Sequence, residues 1–546
     1  MARAWPTVAL LAVLGLAAVL RLHGIGFGLP ALNDSDELMF ELGATRMLTG
    51  PTLNPGWFGH PATITMYVLA VVNASTFAAG WLLGAFPDPD GFMQAIYADP
   101  GIVILPGRIA MACFGLITVW QVARIARTIA WPGSSGNLAG LFAALILACS
   151  TLHVNYSQII RSDMLGTVFM LMTIAFALRI ARDGRAADYR WAALGVALSV
   201  ACKWPFGIVA VSVLGAVLVR LAQDRGEAAI QGHRFLAFVL LAPVFLVLIS
   251  PYLVLDYPTV LRNLGGEAQT KHLGATSEGL WPNLWWYLKG PLREALGLPG
   301  LGLAAAGLAL LARNRKAGWV ILPVLLVYGP MICLHGLRWE RWVLPLLPLL
   351  AVAAGVAVAA GLRAIADRWN PAFATTGSAG LACALLLLLG VPAWEDAAAR
   401  THDTRQEAAR WARAHVPPGS TVMIENFAFD LFDTPWTILF PMGDAGCVDA
   451  KAMLAGRISY KVVDAARGTR ANVDYGTVAP RTRASCRADF VIAMEMERYR
   501  EERHRFPDEY AAYAALLADM EVRAVMRPEP GRSSGPVMTI LGRKAP

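Results

Sequence analysis

The chain is poor in charge. Only 16% of its 546 residues are Asp, Glu, Lys or Arg, against about 25% in a soluble domain. It has seven cysteines but no CxxC pair and no Cys/His ligand spacing, which argues against zinc-finger chemistry. It lacks a Walker loop, a GxGxxG after a strand, a GxSxG and an HExxH, so nucleotide-driven chemistry and hydrolysis by a serine or zinc-activated nucleophile have no support. Internal repeats and low-complexity tracts are absent as well. What the chain has instead is 56% hydrophobic residues and a mean hydropathy of +0.49. Those values exclude a disordered chain, a collagen and a disulfide scaffold, and they point to a multi-span membrane protein.

Apolar runs fill residues 1–393, and residues 394–546 have the composition of a soluble domain. Eleven runs are candidate spans: 6–29, 102–125, 138–152, 164–180, 191–201, 206–221, 235–255, 296–312, 319–334, 342–362 and 375–391. Pro205 breaks the pair around Lys203, so a short helix, a polar break and a second helix are expected there. The first run lacks a small-x-small cleavage site and reads as an uncleaved anchor. Run 62–86 is ambiguous. If it crosses, Arg124, Arg127, Arg179, Arg182, Arg185 and Arg190 all lie outside, against the positive-inside bias. If it lies along the outer interface, all of them are cytoplasmic. Its polar members Thr63, Thr65, Asn73, Ser75 and Thr76 also suit the interface. The expected topology therefore has a cytoplasmic N-terminus and an outer C-terminal domain. The net charge of +8 then resides in the cytoplasmic loops, at +10, while residues 394–546 are neutral. The basic excess marks orientation rather than nucleic-acid binding.

The unusual polar residues concentrate in the expected outer loops. Asn33-Asp34-Ser35-Asp36-Glu37 reads first as a capped helix start, and a carboxylate there can also be a general base. His60-Pro61 follows a Pro/Gly-rich stretch, 51–59, and alone is a turn. Arg161-Ser162-Asp163 opens a span. Lys203 beside Trp204 either snorkels or binds an anion. Arg338-Trp339-Glu340-Arg341-Trp342 has the composition of an interfacial belt, as do Trp281, Trp285 and Trp286. Together, carboxylates Asp36, Glu37 and Asp163 and cations Lys203, Arg338 and Arg341 suit proton removal from a hydroxyl and stabilisation of a departing phosphate.

At these residues the chain resembles the GT-C superfamily of membrane glycosyltransferases. The resemblance is to the branch of protein O-mannosyltransferases, lipid A aminoarabinose transferases and bacterial dolichyl-phosphate-mannose-protein mannosyltransferase-like relatives. Asp36-Glu37, His60-Pro61, Arg108, Arg161-Ser162-Asp163, Lys203-Trp204 and Arg341-Trp342-Val343-Leu344-Pro345 carry it, in order, over about residues 1–350. The resemblance implies a polytopic α-helical membrane protein of about eleven spans, with interfacial helices in its first outer loop. It implies inverting transfer of a hexose or pentose from a polyprenyl-phosphate donor to a glycan, lipid or protein hydroxyl, outside a bacterial inner membrane. Asp36 then resembles the catalytic carboxylate, with Glu37 and Asp163 supporting it. Lys203 and Arg341, with Arg338, resemble the holders of the lipid phosphate, and His60 and Arg161 complete the site. Where the family carries HPP, this chain has His60-Pro61-Ala62. Some members use a metal and others do not; Asp36 and Asp163 are the pair that could hold a divalent ion.

Residues 394–546 read as a small periplasmic α/β domain, with helices 402–415 and 509–520 and strands 421–425, 489–494 and 537–541. Its two cysteines, Cys447 and Cys486, could pair in an oxidising compartment. Two other classes compete with the enzyme. A transporter or lipid-linked sugar flippase usually shows inverted repeats with paired broken helices, and only one break is visible here. A plain membrane anchor would need one span.

Overall fold

Left-handed glycines mark where two helices of the membrane part stop, at Gly24 and Gly184. A computed structural model describes residues 5–50, 52–129, 134–468 and 474–544. Residues 1–4, which precede the first apolar run, and Pro51 of the Pro/Gly-rich stretch lie outside the described residues. Helix α1, Trp5–Leu22, is shorter than the apolar run that contains it. Gly24 takes φ +67° directly after it, the left-handed conformation that ends helices and that a side chain disfavours.

Eight further helices complete the first half: α2 Ser35–Thr49, α3 Thr63–Leu82, α4 Pro89–Ala98, α5 Gly101–Ile129, α6 Ser134–Ala148, α7 Thr151–Ser157, α8 Ser162–Asp183 and α9 Ala186–Cys202. The second half adds the spans 204–223, 225–249, 291–313, 315–334, 347–368 and 371–399. Among the described residues, nine helices are long and apolar enough to cross a membrane. The expected eleven is not reached by this measure, for three physical reasons. Helix α1 is cut at its glycines. Helix α6 falls short by itself and continues into α7 only after a bend of 66°. Helix α9 stops at Cys202, because Lys203 is extended and Trp204–Val209 continues as a 3₁₀ turn. That last break is the one expected from Pro205. The bundle is tied by close backbone approaches: a Cβ on Gly307 would meet Ala353 O at 1.8 Å, and one on Gly355 would meet Ala139 O at 2.3 Å. Small residues at such crossings let helices pack on each other where lipid removes the hydrophobic incentive.

Helix α3 is one of these nine, and its contacts run to the α9 break, α2, α4 and α5. Ala62 N–H, at its start, donates to Cys202 O at the α9 break (3.2 Å). Its middle packs on α2 and the first turns of α5, with Leu69 against Gly107. Near its far end, Phe77 packs on Phe92 of α4, and α4 leads directly into Gly101 at the head of α5. One end of α3 is thus tied to the α9 break and the other to α4, the segment that leads into α5. The basic loops gather at the opposite end, where Arg234 donates to Gly184 O (2.6 Å) and Arg220 to Arg182 O (3.3 Å).

The C-terminal region forms a six-stranded sheet, β1 Thr421–Ile424, β2 Thr437–Pro441, β3 Cys447–Asp449, β4 Phe490–Ala493, β5 Met520–Met526 and β6 Met538–Arg543. Its order is β3-β2-β1-β4-β6-β5. Strand β1 is central and parallel to both neighbours, and the outer pairings are antiparallel. Cys447 and Cys486 are disulfide-bonded. This domain sits on the end of the bundle that holds α2 and α3. Arg405 donates to Asn33 O (2.8 Å), the Gln406 and Asn33 amides pair, and Phe429 N–H reaches Ala31 O (3.3 Å). Arg505 pairs with Glu278 (2.6 Å) in the 256–290 loop.

Cysteines introduced at Asp88 and at Arg185, in a chain lacking exposed Cys113 and Cys383, test this arrangement. An impermeant maleimide is expected to label the first from outside and the second only after permeabilisation. Labelling of both from one side would mean that α3 crosses.

Candidate active site at the domain-bearing end of the bundle

Asp34 caps α2: its Oδ1 accepts Asp36 N–H at 3.0 Å. This places Asp36 and Glu37 in the first turn, where the helix dipole favours negative charge. Consecutive helical residues point about 100° apart, and the two acids meet different surroundings. Glu37 turns inward and is fully buried, as is Arg108. Arg108 Nε and Nη2 donate to its two oxygens at 2.8 and 2.6 Å, and Ile160 N–H adds a third bond at 3.0 Å. Arg108 Nη1 serves Ile25 O and Phe27 O, and the guanidinium lies over the Phe27 ring. All three guanidinium nitrogens of Arg108 and both oxygens of Glu37 are bonded, so Glu37 braces the site and does not face it.

Asp36 turns outward, with its side chain 39% exposed. It accepts a hydrogen bond from Arg161 Nη1. Arg161 Nη2 donates to both oxygens of Asp34, at 3.0 Å each. Burial pushes the Asp36 carboxyl up, but Arg161 and Arg341 outweigh it and hold it below the usual carboxylate range. Asp163, in the first turn of α8, pairs with Lys203 Nζ at 2.5 Å, and both are buried. Lys203 is delivered by the break after α9, which is tied to the 52–62 loop by Trp204 Nε1 donating to Phe58 O (3.2 Å) and by the Ala62–Cys202 bond.

His60 stands between these pairs. Its ring lies beside Trp57 and Phe40, its Nε2 is 3.9 Å from Glu267 Oε2, and its Nδ1 is buried without a partner. Burial, with Lys203 and Arg341, lowers it to about 3, so it is neutral at physiological pH. Arg341 completes the group. It sits in the turn Glu340–Val343 with its guanidinium 4.7 Å from the Trp339 ring. Its Nε is buried without a hydrogen-bond partner, and among the described residues it has no carboxylate within ion-pair distance. Beside it, Tyr156 donates to Glu340 (2.8 Å).

The fold thus brings together Asp36, His60, Arg161, Asp163, Lys203 and Arg341. It does not bring Arg338: its N–H donates to Ala275 O and its guanidinium lies over Trp286, since the turn at Glu340 sends the two arginines apart. Three residues at the site carried no signal of this role. Asp34 reads as a cap, Tyr156 lies in an expected outer loop with no motif, and Glu267 ends the helix Tyr257–Glu267 about 230 residues from its neighbours' motif. As for a metal, Asp36 and Asp163 each face a cationic side chain, and among the described residues no three His, Cys, Asp or Glu side chains converge as a ligand set. The pair as placed does not fit a divalent ion.

Residues 92–254 match the model of the family described as Dolichyl-phosphate-mannose-protein mannosyltransferase. No curated protein matches the chain by sequence. Two solved structures are similar over its whole length. ArnT from Cupriavidus metallidurans in the apo state has 14% identity and a TM-score of 0.55, over 99% of this chain and 98% of that one. The same protein bound to undecaprenyl phosphate has 15% identity and a TM-score of 0.53, over 100% and 99%. At such identity the structures speak for the fold, and the family model speaks for residues 92–254. The resemblance to the O-mannosyltransferase and aminoarabinose transferase branch is borne out by the two together.

The buried pair gives a direct test. Arg108→Met strands the Glu37 charge without a partner, which costs about 3–5 kcal/mol. The variant is expected to lose thermal stability in detergent, and Arg108→Met with Glu37→Leu to recover most of it.

Proposed function

We propose that this chain, a multi-pass membrane glycosyltransferase of the GT-C superfamily, moves a sugar from a polyprenyl-phosphate donor to an acceptor hydroxyl at the outer face of the membrane. The observation that carries this is a half-exposed, ionised carboxylate, Asp36, in the field of an arginine, Arg341, that among the described residues makes no ion pair of its own. A carboxylate suits a hydroxyl about to lose a proton, and an unpaired guanidinium suits a phosphate about to gain charge. The ArnT structure with undecaprenyl phosphate supports a lipid donor of this kind.

In the transfer, the acceptor oxygen attacks the anomeric carbon from the side opposite the phosphate. The bond from that oxygen to carbon forms as the bond from carbon to the phosphate oxygen breaks. Its electron pair leaves on the polyprenyl phosphate, the acceptor's proton passes to Asp36, and the configuration inverts. Asp36 is a weak base, being held ionised by Arg161 and Arg341. Its proton transfer therefore belongs late in the step, when the attacking hydroxyl has become acidic through bond formation. Arg341 binds the donor phosphate. Lys203 shares that task only in part, because Asp163 already takes its ammonium. His60, neutral, offers hydrogen bonds without adding charge, and Glu37 acts as a positioning residue through Arg108. The outer face follows from the basic loops gathered at the opposite end, by the positive-inside bias. The sheet domain over the site is suited to approaching the acceptor.

Asp36→Asn is expected to lower kcat by about 10²–10⁴-fold, the usual worth of a general base, with membrane expression intact. Arg341→Gln is expected to raise the donor KM. In cells carrying Asp36→Asn, mass spectrometry is expected to find an accumulated polyprenyl-phosphate sugar and an envelope glycan or protein lacking one sugar. An unchanged glycan profile would overturn the assignment.

A further inference from the structure

Arg161 is shared. Its Nη1 is bound to Asp36, while its Nη2 is held by both oxygens of Asp34 at 3.0 Å. Exposure rises along this row, from 10% for the Arg161 side chain to 19% for Asp34 and 39% for Asp36. The arginine and its rear carboxylate are covered, and the front carboxylate is open. Arg161 Nε is buried without a partner, so the guanidinium is kept in place through its two terminal nitrogens alone. Asp34 is itself fixed, since its Oδ1 also caps α2.

We infer that Asp34 is a positioning residue for proton transfer at Asp36: it retains the Arg161 guanidinium with both oxygens, so that Asp36 can exchange its bond to Arg161 for the acceptor hydroxyl. This rests on the reading of Asp36 as the base. Without Asp34, both terminal nitrogens of Arg161 are free to take Asp36 in a bidentate grip, the strongest form of this pair. Asp36 would then be harder to release and less able to receive a proton. The groups that face Asp36 are Arg161 from the head of α8, Arg341 from the Glu340–Val343 turn, His60 from the 52–62 loop and Glu267 from the end of its helix. Arg161 is faced in turn by Asp34, Tyr156 and Asp163. Asp34 is the one of these acids that holds the same guanidinium as Asp36 through hydrogen bonds.

The charge and the cap can be separated. Asn and Ser cap helices about as well as Asp, so Asp34→Asn and Asp34→Ser keep α2 capped and remove only the charge. Both variants are expected to lower kcat roughly tenfold, a fraction of what a general base supplies, with the donor KM within about twofold. The acid limb of the kcat profile should move to lower pH, because a carboxylate gripped by a whole guanidinium stays ionised further into acid. A cap defect alone would not move that limb. Unchanged kcat and limb, a limb moved to higher pH, or loss of fold in both variants would overturn the inference. If Asp36→Asn retains transfer, the reading of Asp36 itself falls. If Asp36→Asn is inactive and the Asp34 variants match the wild type, only the role of Asp34 falls.

Discussion

The site depends on one fully buried ion pair. Glu37 and Arg108 have no exposed side-chain surface. Burying two charges is costly unless geometry is close to ideal and the remaining donors are used. The requirement acts as a positioning constraint. Arg108 belongs to α5, Glu37 to α2, the carbonyls of Ile25 and Phe27 to the turns after α1, and Ile160 N–H to the segment leading into α8. Four stretches between residues 25 and 160 must converge to satisfy two side chains. Once they have, the rotation of α2 is fixed, and Asp36, one residue earlier, can point only outward toward Arg161.

That constraint separates what could be read from the sequence from what could not. The apolar runs were legible because a span is a matter of length and composition. Their ends were less so: hydropathy continues through Gly24, where the backbone does not. The central strands β1, β4 and β6 were legible as buried apolar segments. Strand β5 was not, because it lies at the sheet edge with Val522 and Val525 exposed and shows no buried pattern. Strand β3, three residues long, is below what periodicity can register. Within the site, Asp36, His60, Arg161, Asp163, Lys203 and Arg341 stood out as polar residues beside apolar runs, and they converge. The partition of roles did not stand out, because it depends on which carboxylate each cation meets. Glu37 and Asp36 are indistinguishable as letters in sequence; Arg108 and Arg161 tell them apart.

The loop that bears His60 shows how this chain departs from its relatives' pattern. Ala62 has φ +56°, and its N–H is bonded to Cys202 O. A proline here would fix φ near −65° and remove that N–H, so the family's second proline is incompatible with this tie. The alanine lets the loop close onto the very break that presents Lys203. Trp204, bonded to Phe58 O, closes it from the other side. His60 is therefore held by the backbone of its loop rather than by an ion pair, which suits a ring that stays neutral among three cations.

The balance of charge around that ring bears on how the proposed transfer is accelerated. Asp34 and Asp36 share Arg161, Asp163 takes Lys203, and among the described residues Arg341 makes no ion pair. With Glu267 at the edge of the group, four carboxylates face three cations, and the positive charge is unevenly placed among them. A polyprenyl-phosphate sugar is a diester with one negative charge; its departing lipid phosphate is a monoester approaching two. A site in which every cation were already paired would meet both states with much the same field, and binding without discrimination does not speed a reaction. An unpaired guanidinium stacked on Trp339 interacts more strongly as the second charge grows. On the opposite face of the sugar, Asp36 loses its negative charge as it takes the proton. Negative charge thus moves from Asp36 toward Arg341 as the bonds exchange, and the fixed cations make that displacement favourable without having to reorganise.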